Sequence, residues 1–297
     1  MTQRRCASQH PADGRASRCA AAAAVVAAAV LLVACGSTQP PQNPAQRSAS
    51  TLAQAGARAW ARGDAAQARA SYERALAAAE SVEDFDLAGA MLLNLALVQG
   101  ASGDLAGGFA RVDRIIAAPQ RYGATMVARA STRKALLYLD VPDADAALTW
   151  AERAQGACGT PCPLDATLNN LRAHVALQRD DANGALQWST RAVALADEQS
   201  AERANGLRLT GRAQRQLGQY DAAATALAQA LAIDRKLGSS DRVALDLIAA
   251  AENEAARGDV AAAREFYARA LEVYTAAGNT QAADGLRQRL ATLSAPR

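Results

Sequence analysis

Small residues recur through this chain at Gly56, Ala96, Ala135, Ala173, Gly211 and Ala251, at intervals of 40, 39, 38, 38 and 40. Twelve residues beyond each lies a second set: Ala68, Gly108, Ala147, Ala185, Ala223 and Ala263. Seven beyond those lies a third: Ala75, Ile115, Ala154, Ala192, Ala230 and Ala270. A period of this length means one supersecondary unit copied along the chain, each copy burying its apolar face against the next. Between the first and second sets sits a break: Gly63-Asp64, Gly103-Asp104, Pro142-Asp143, Asp180-Asp181, Gly218-Gln219 and Gly258-Asp259. Both flanks of each break carry helical apolar spacing. Glycine past a helix end takes the left-handed conformation that closes the carbonyl ladder. An aspartate beside it accepts from the amides that open the next helix. The unit is therefore two helices and a tight turn, six times over. With 51% hydrophobic residues, inflated by alanine, and only 4% aromatics, the core must come from close backbone approach. Alanine also has the highest helix propensity, which points to an all-helical chain.

The pattern resembles the tetratricopeptide repeat, whose small residues fall at its eighth and twentieth positions, an aromatic at the twenty-fourth and Ala at the twenty-seventh. The segments "RGDAAQARASYERAL" and "RGDVAAAREFYARAL" match well, and "LGQYDAAATALAQAL" nearly so. Tyr72 and Tyr267 fill the aromatic position, whereas Ile115 replaces a small residue and Ala151 and Ser189 replace the aromatic. The period exceeds the usual 34 residues and is closer to variants with longer helices. The resemblance implies an all-α helical-hairpin solenoid, a right-handed superhelix with a concave groove. Six repeats would occupy 51–278. Asn279 to Ser294 would add a capping helix, apolar at Leu286, Leu290 and Leu293, within 279–297.

Upstream, Arg4, Arg5, Arg15 and Arg18 precede the apolar run Cys19 to Val33. A charged start, a short apolar segment and small residues at a cleavage point make a secretory signal over 1–34. The run is shorter than the ~20 residues that a membrane span needs. Leu-Val-Ala directly before Cys35 resembles the lipobox of bacterial lipoproteins. That resemblance implies cleavage before Cys35, a thioether lipid on its sulfur and acylation of the new amine. The alternatives are an ordinary signal peptide or an uncleaved anchor. Gly36, in place of the Asp that retains such proteins at the inner membrane of enteric-type bacteria, favours the outer membrane, with inner-membrane anchoring as the variant. Gly36 to Ser50 is rich in Ser, Gln, Pro and Asn and reads as a flexible tether over 35–50 with an end-to-end distance of roughly 20 Å.

The net charge of +3 belongs to the signal. Without four of the 32 basic and one of the 29 acidic residues, 28 of each remain. A neutral mature chain outside the cytoplasm gives no sign of nucleic-acid binding. Cys6 and Cys19 leave with the signal, and Cys35 takes the lipid. Cys158 and Cys162 remain, and an even remainder in an oxidising compartment reads as one disulfide. Their three-residue spacer with Gly and Pro suits a structural loop better than a redox motif; reduced or metal-bound thiols are the alternatives.

Read singly, the turn aspartates look like acid–base or metal candidates, but their position marks them as caps. His10 leaves with the signal. His174 stands on the first helix of repeat four, one turn after Asn170, without Cys or paired carboxylates at metal-ligand spacing. There is no Gly-x-Ser-x-Gly elbow and no phosphate loop. No cofactor, metal or catalytic group is therefore expected. The groove positions implied by the resemblance are Arg129 and Thr132 in repeat three, Asn170 and His174 in repeat four, and Asn205, Arg208, Arg212 and Arg215 in repeat five. The last four share one helical face. Leu93, Leu97, Leu245 and Ile248 make repeats two and six apolar there. The family's peptide-carboxylate clamp is not reproduced. The expectation is a non-catalytic, membrane-anchored scaffold for a protein or peptide partner of the cell envelope, during pilus, secretion, outer-membrane or peptidoglycan assembly. The alternative is a small-ligand receptor or enzyme with its site in the groove.

Overall fold

The computed structural model describes residues 43–141 and 143–293, which fall in one compact unit. The proposed signal, Cys35 and Pro142 lie outside the described residues. The helices are α1 (Pro44–Ala61), α2 (Ala65–Glu80), α3 (Phe85–Ala101), α4 (Leu105–Ile116), α5 (Pro119–Leu137), α6 (Ala144–Cys158) and α7 (Asp165–Gln178). They continue with α8 (Ala182–Leu195), α9 (Ala201–Gln216), α10 (Tyr220–Leu237), α11 (Ser240–Arg257), α12 (Val260–Ala276) and α13 (Thr280–Thr292). One 3-10 turn, Tyr138–Asp140, follows α5. Odd and even helices pair into six hairpins, each hairpin packs on the next, and α13 packs on α12. This is a helical-hairpin solenoid.

The three sets of small positions form its interior. Ala96, Ala135, Ala173 and Ala251 are fully buried, as are their partners Ala68, Ala147, Ala185, Ala223 and Ala263. Ile115, the large exception, is also fully buried. Close approach is required where glycine stands. A Cβ on Gly56 would lie 2.7 Å from the Tyr72 ring, and one on Gly211 would lie 2.6 Å from Leu227 Cγ and 3.2 Å from the Ala223 carbonyl oxygen.

The turns follow the capping logic. Gly63 closes α1 at φ 78°, and in repeat four the non-glycine Asp180 takes the same region at φ 56°. Asp64, Asp104, Asp143, Asp181 and Asp259 each accept from the backbone N–H three residues on, at 2.8–2.9 Å. Gln219 makes no such bond. Hydrogen bonding to Gln99 and to the Gly107 amide holds the Asp104 carboxyl below its ordinary value. Polar contacts also step from repeat to repeat. Arg111 reaches Glu73 at 3.0 Å, Arg179 reaches Asp145 at 2.5 Å and Arg289 reaches Glu252 at 3.2 Å. Exposed pairs of this kind contribute only ~0–1 kcal/mol each, so they set register more than stability.

Residues 44–50, expected to belong to the tether, are instead the first turns of α1. Asn43 and Gln46 form a reciprocal capping box, and Pro44 starts α1 at the position where proline is tolerated. Ala49 is fully buried against the rest of the solenoid. Polar composition misled because polarity and helix-start chemistry use the same residue types.

Among the described residues, no helix is long and apolar enough to cross a membrane. Cys158, the last residue of α6, is bonded to Cys162 in the loop before α7, with Cα atoms 5.3 Å apart. Alkylation of the denatured, unreduced protein is expected to leave both thiols unlabelled, and full labelling would refute the bridge. The closed loop is short, so the bridge should stiffen it and stabilise the fold only modestly.

Candidate functional site

The first helices of the repeats build the inner face of the solenoid. A cavity of ≈ 280 Å³ opens there, lined by Leu136 of α5, Asn170 and His174 of α7, Glu202, Asn205 and Arg208 of α9, and Arg242 of α11. Four of the eight groove positions expected from the sequence thus meet in one place.

Asn170 is 4% exposed. Its Nδ2 donates to the Glu202 carbonyl at 2.8 Å, which ties α7 to α9. Its Oδ1 has no hydrogen-bond partner. Such a buried acceptor carries a desolvation cost until a donor reaches it. His174 is half-buried; burial holds its imidazole below the ordinary value, reinforced by Arg212 and opposed by Asp140.

Arg208 departs from its expected role. It is 9% exposed and fully engaged on three sides. Its Nε donates to Asp246 Oδ1 at 2.6 Å, one terminal nitrogen to Asp234 Oδ2 at 2.7 Å and the other to Asn205 Oδ1 at 3.1 Å. Asp234 comes from α10 and Asp246 from α11, so Arg208 clasps three helices across the boundary of repeats five and six. Arg242 adds its Nε 3.0 Å from Asp234 Oδ1, an ion contact without hydrogen-bond geometry. The expected row of three free arginines is therefore corrected: Arg208 is a structural clasp that forms part of the cavity wall.

Arg215 is also partnered, 3.4 Å from Glu252, which Arg289 meets from the other side. Arg212 alone of the row makes no hydrogen bond or ion pair among the described residues; burial lowers its pKa, with Glu252 opposing. Thr132 is buried, and its hydroxyl donates to the Ala128 carbonyl of its own helix at 2.9 Å, so it has no hydrogen left for a ligand. Arg129 is exposed and stands apart from the cavity, beside Arg133, whose guanidinium burial holds below its ordinary value.

Sequence reasoning missed Asp234, Asp246 and Arg242. A signal for Asp246 existed: a lone acid inside the apolar run Val243 to Ile248. A charge in such a run is either misplaced or paired, and its partner lies 38 residues back.

No family model and no curated protein matches this sequence. Solved structures do match. A Rap protein complexed with competence and sporulation factor aligns at TM-score 0.58 and 11% identity, covering 84% of this chain and 77% of that one. A chain of the APC/C hetero-tetramer Cut9–Hcn1 aligns at TM-score 0.60 and 18% identity, covering 84% of this chain and 44% of that one. The apo form of RapI aligns at TM-score 0.54 and 9% identity, covering 80% and 67%. At these identities the likeness speaks to the fold, and together with the six hairpins and their buried small positions it gives one answer: the chain has the tetratricopeptide-repeat fold.

Proposed function

We propose that this chain is a non-catalytic scaffold, lipid-anchored through Cys35 in the bacterial envelope, that holds an extended segment of a partner protein on its inner face. The observation that carries the binding half is the ≈ 280 Å³ cavity, with Arg212, which makes no hydrogen bond or ion pair among the described residues, close to its lining residue His174. A peptide supplies what the guanidinium lacks, a carboxylate from an acidic side chain or a chain end. A guanidinium engages a carboxylate through two parallel bonds. The similar Rap protein is complexed with competence and sporulation factor, a precedent for a ligand on this fold. The anchoring half rests on the Leu-Val-Ala-Cys site and the apolar run before it. Gly36 favours the outer membrane.

Two measurements test the two halves. Cys35→Ala is expected to remove the acyl mass from the mature chain and release it from membranes. A mature chain with an unmodified start at another residue would sink the anchoring half. A photocrosslinking residue at Asn205, in the otherwise intact anchored protein, is expected to capture a partner. The same probe at exposed Leu195, on a second helix, should capture none. Capture from Leu195 and not from Asn205 would place binding on the other face.

A further inference from the structure

Two carboxylates meet inside the boundary between repeats five and six. Asp234 is fully buried and Asp246 is 1% exposed. Each keeps one oxygen with no hydrogen-bond donor, Oδ1 of Asp234 and Oδ2 of Asp246, and the two carboxyls share one guanidinium, Asp246 on Arg208 Nε at 2.6 Å and Asp234 on a terminal nitrogen at 2.7 Å. Two buried acids this close do not both ionise freely, and their protons belong to the pair. A single proton on the pair would remove one of its two like charges.

The charges around the pair are few. Arg208 faces it from α9 and Arg242 from α11, whose first turn also carries Asp241. Tyr274 of α12 completes the surroundings, its hydroxyl pushed up by burial, then by Asp241, with Arg208 opposing. Arg208 and Arg242 are also walls of the inner-face cavity. With both acids ionised, two negative charges cancel those two guanidiniums. With one proton taken up, the wall carries one net positive charge.

We infer that the buried acid pair clasped by Arg208 takes up a proton on Asp246 and acts as a charge valve for the cavity, which accepts an anionic group of its ligand more tightly when that proton is bound. The valve rests on the reading of the inner face as a binding site; the proton uptake itself does not. Burial, then the Asp234 carboxylate, pushes Asp246 up from 3.8 to about 7 against the pull of Arg208, so the pair changes charge in the range where an envelope protein works. Arg208 spends three of its five N–H bonds on its partners, so what it contributes to the cavity wall is charge.

The proton is tested first, on the full mature chain without any variant. Carboxyl carbon NMR is expected to show one aspartate titrating near pH 7, and all aspartates titrating below pH 5 would overturn the inference. The folded state keeps a proton that the unfolded chain, at an ordinary 3.8, has released. Stability should therefore fall as pH rises from about 4 to about 7 and not change further on this account. Asp246→Asn should abolish that slope and melt no lower than wild type at pH 8. A variant that loses far more at pH 8 than at pH 5 would mean that the ionised carboxylate is the stabilising form, and the inference would fall.

The valve is tested with sulfate as the probe, followed by side-chain NMR of Arg212 and Asn205, in a His174→Gln background that removes the imidazole's own titration. Sulfate should bind roughly 5–10-fold more tightly at pH 6 than at pH 8, as one unit charge at the wall predicts. Equal affinities, or no binding at either pH, would refute the valve. The peptide-binding reading fails separately, on crosslinks that avoid the groove.

Discussion

Replacing Arg208 with Ala is expected to cost about 3–5 kcal/mol, the loss that follows when one side of a buried ion cluster is removed. Asp234 and Asp246 would keep their burial and lose the donors at 2.6 and 2.7 Å that make it tolerable. The damage should appear first in α9 to α12, because a solenoid is stabilised repeat by repeat and neighbour by neighbour. Amide hydrogen exchange of those helices would accelerate while α1 to α4 stayed protected. The loss should be smaller at pH 5 than at pH 8, since protonation relieves one of the stranded carboxylates. Arg212→Ala, four residues on along the same helix, leaves no partner behind and should stay within about 0.5 kcal/mol of wild type. Equal losses for the two arginines would mean that the clasp contributes nothing.

That contrast marks where the sequence stops being legible. The small positions, the breaks and the caps are encoded within a few residues of where they act. Asp64 caps an amide three residues away, and Ala68 sits where its own helix needs room. All six hairpins could therefore be placed from spacing, even where Ile115 and Ser189 break the identity pattern. The start of α1 was legible too, in Asn43, Pro44 and Gln46, had capping chemistry been set above composition. The arginine row was different. Helical periodicity puts Arg208, Arg212 and Arg215 on one face, and they do share it. Their roles diverge through partners on other helices: Asp234 and Asp246 lie 26 and 38 residues from Arg208, and Glu252 meets Arg215 from α11. Nothing local distinguishes a clasped arginine from a free one. The lone acid in an apolar run was the available sign, and it lay on the partner rather than on the residue under scrutiny.

Tyr72→Ala is expected to cost about 3–5 kcal/mol, as for other large aromatic truncations in a core. The ring is 5% exposed and lies against Gly56, where a Cβ would approach it to 2.7 Å. Glycine at that position exists to admit the ring, so the two residues form one unit of volume shared across α1 and α2. Gly56→Ala alone should therefore cost about 1–3 kcal/mol through overpacking, although alanine is the better helix former. In the Tyr72→Ala background the same Gly56→Ala change should cost little or become favourable, because the space it needs has been vacated. Urea denaturation of the two single variants and the double variant measures this as a coupling energy. Additive losses would mean that Gly56 and Tyr72 are independent. They would also undercut the wider argument that in this alanine-rich chain stability comes from how closely paired helices approach. A large negative coupling would instead place the fold's specificity in the matched alternation of absent and bulky side chains, the same alternation whose period first revealed the repeats.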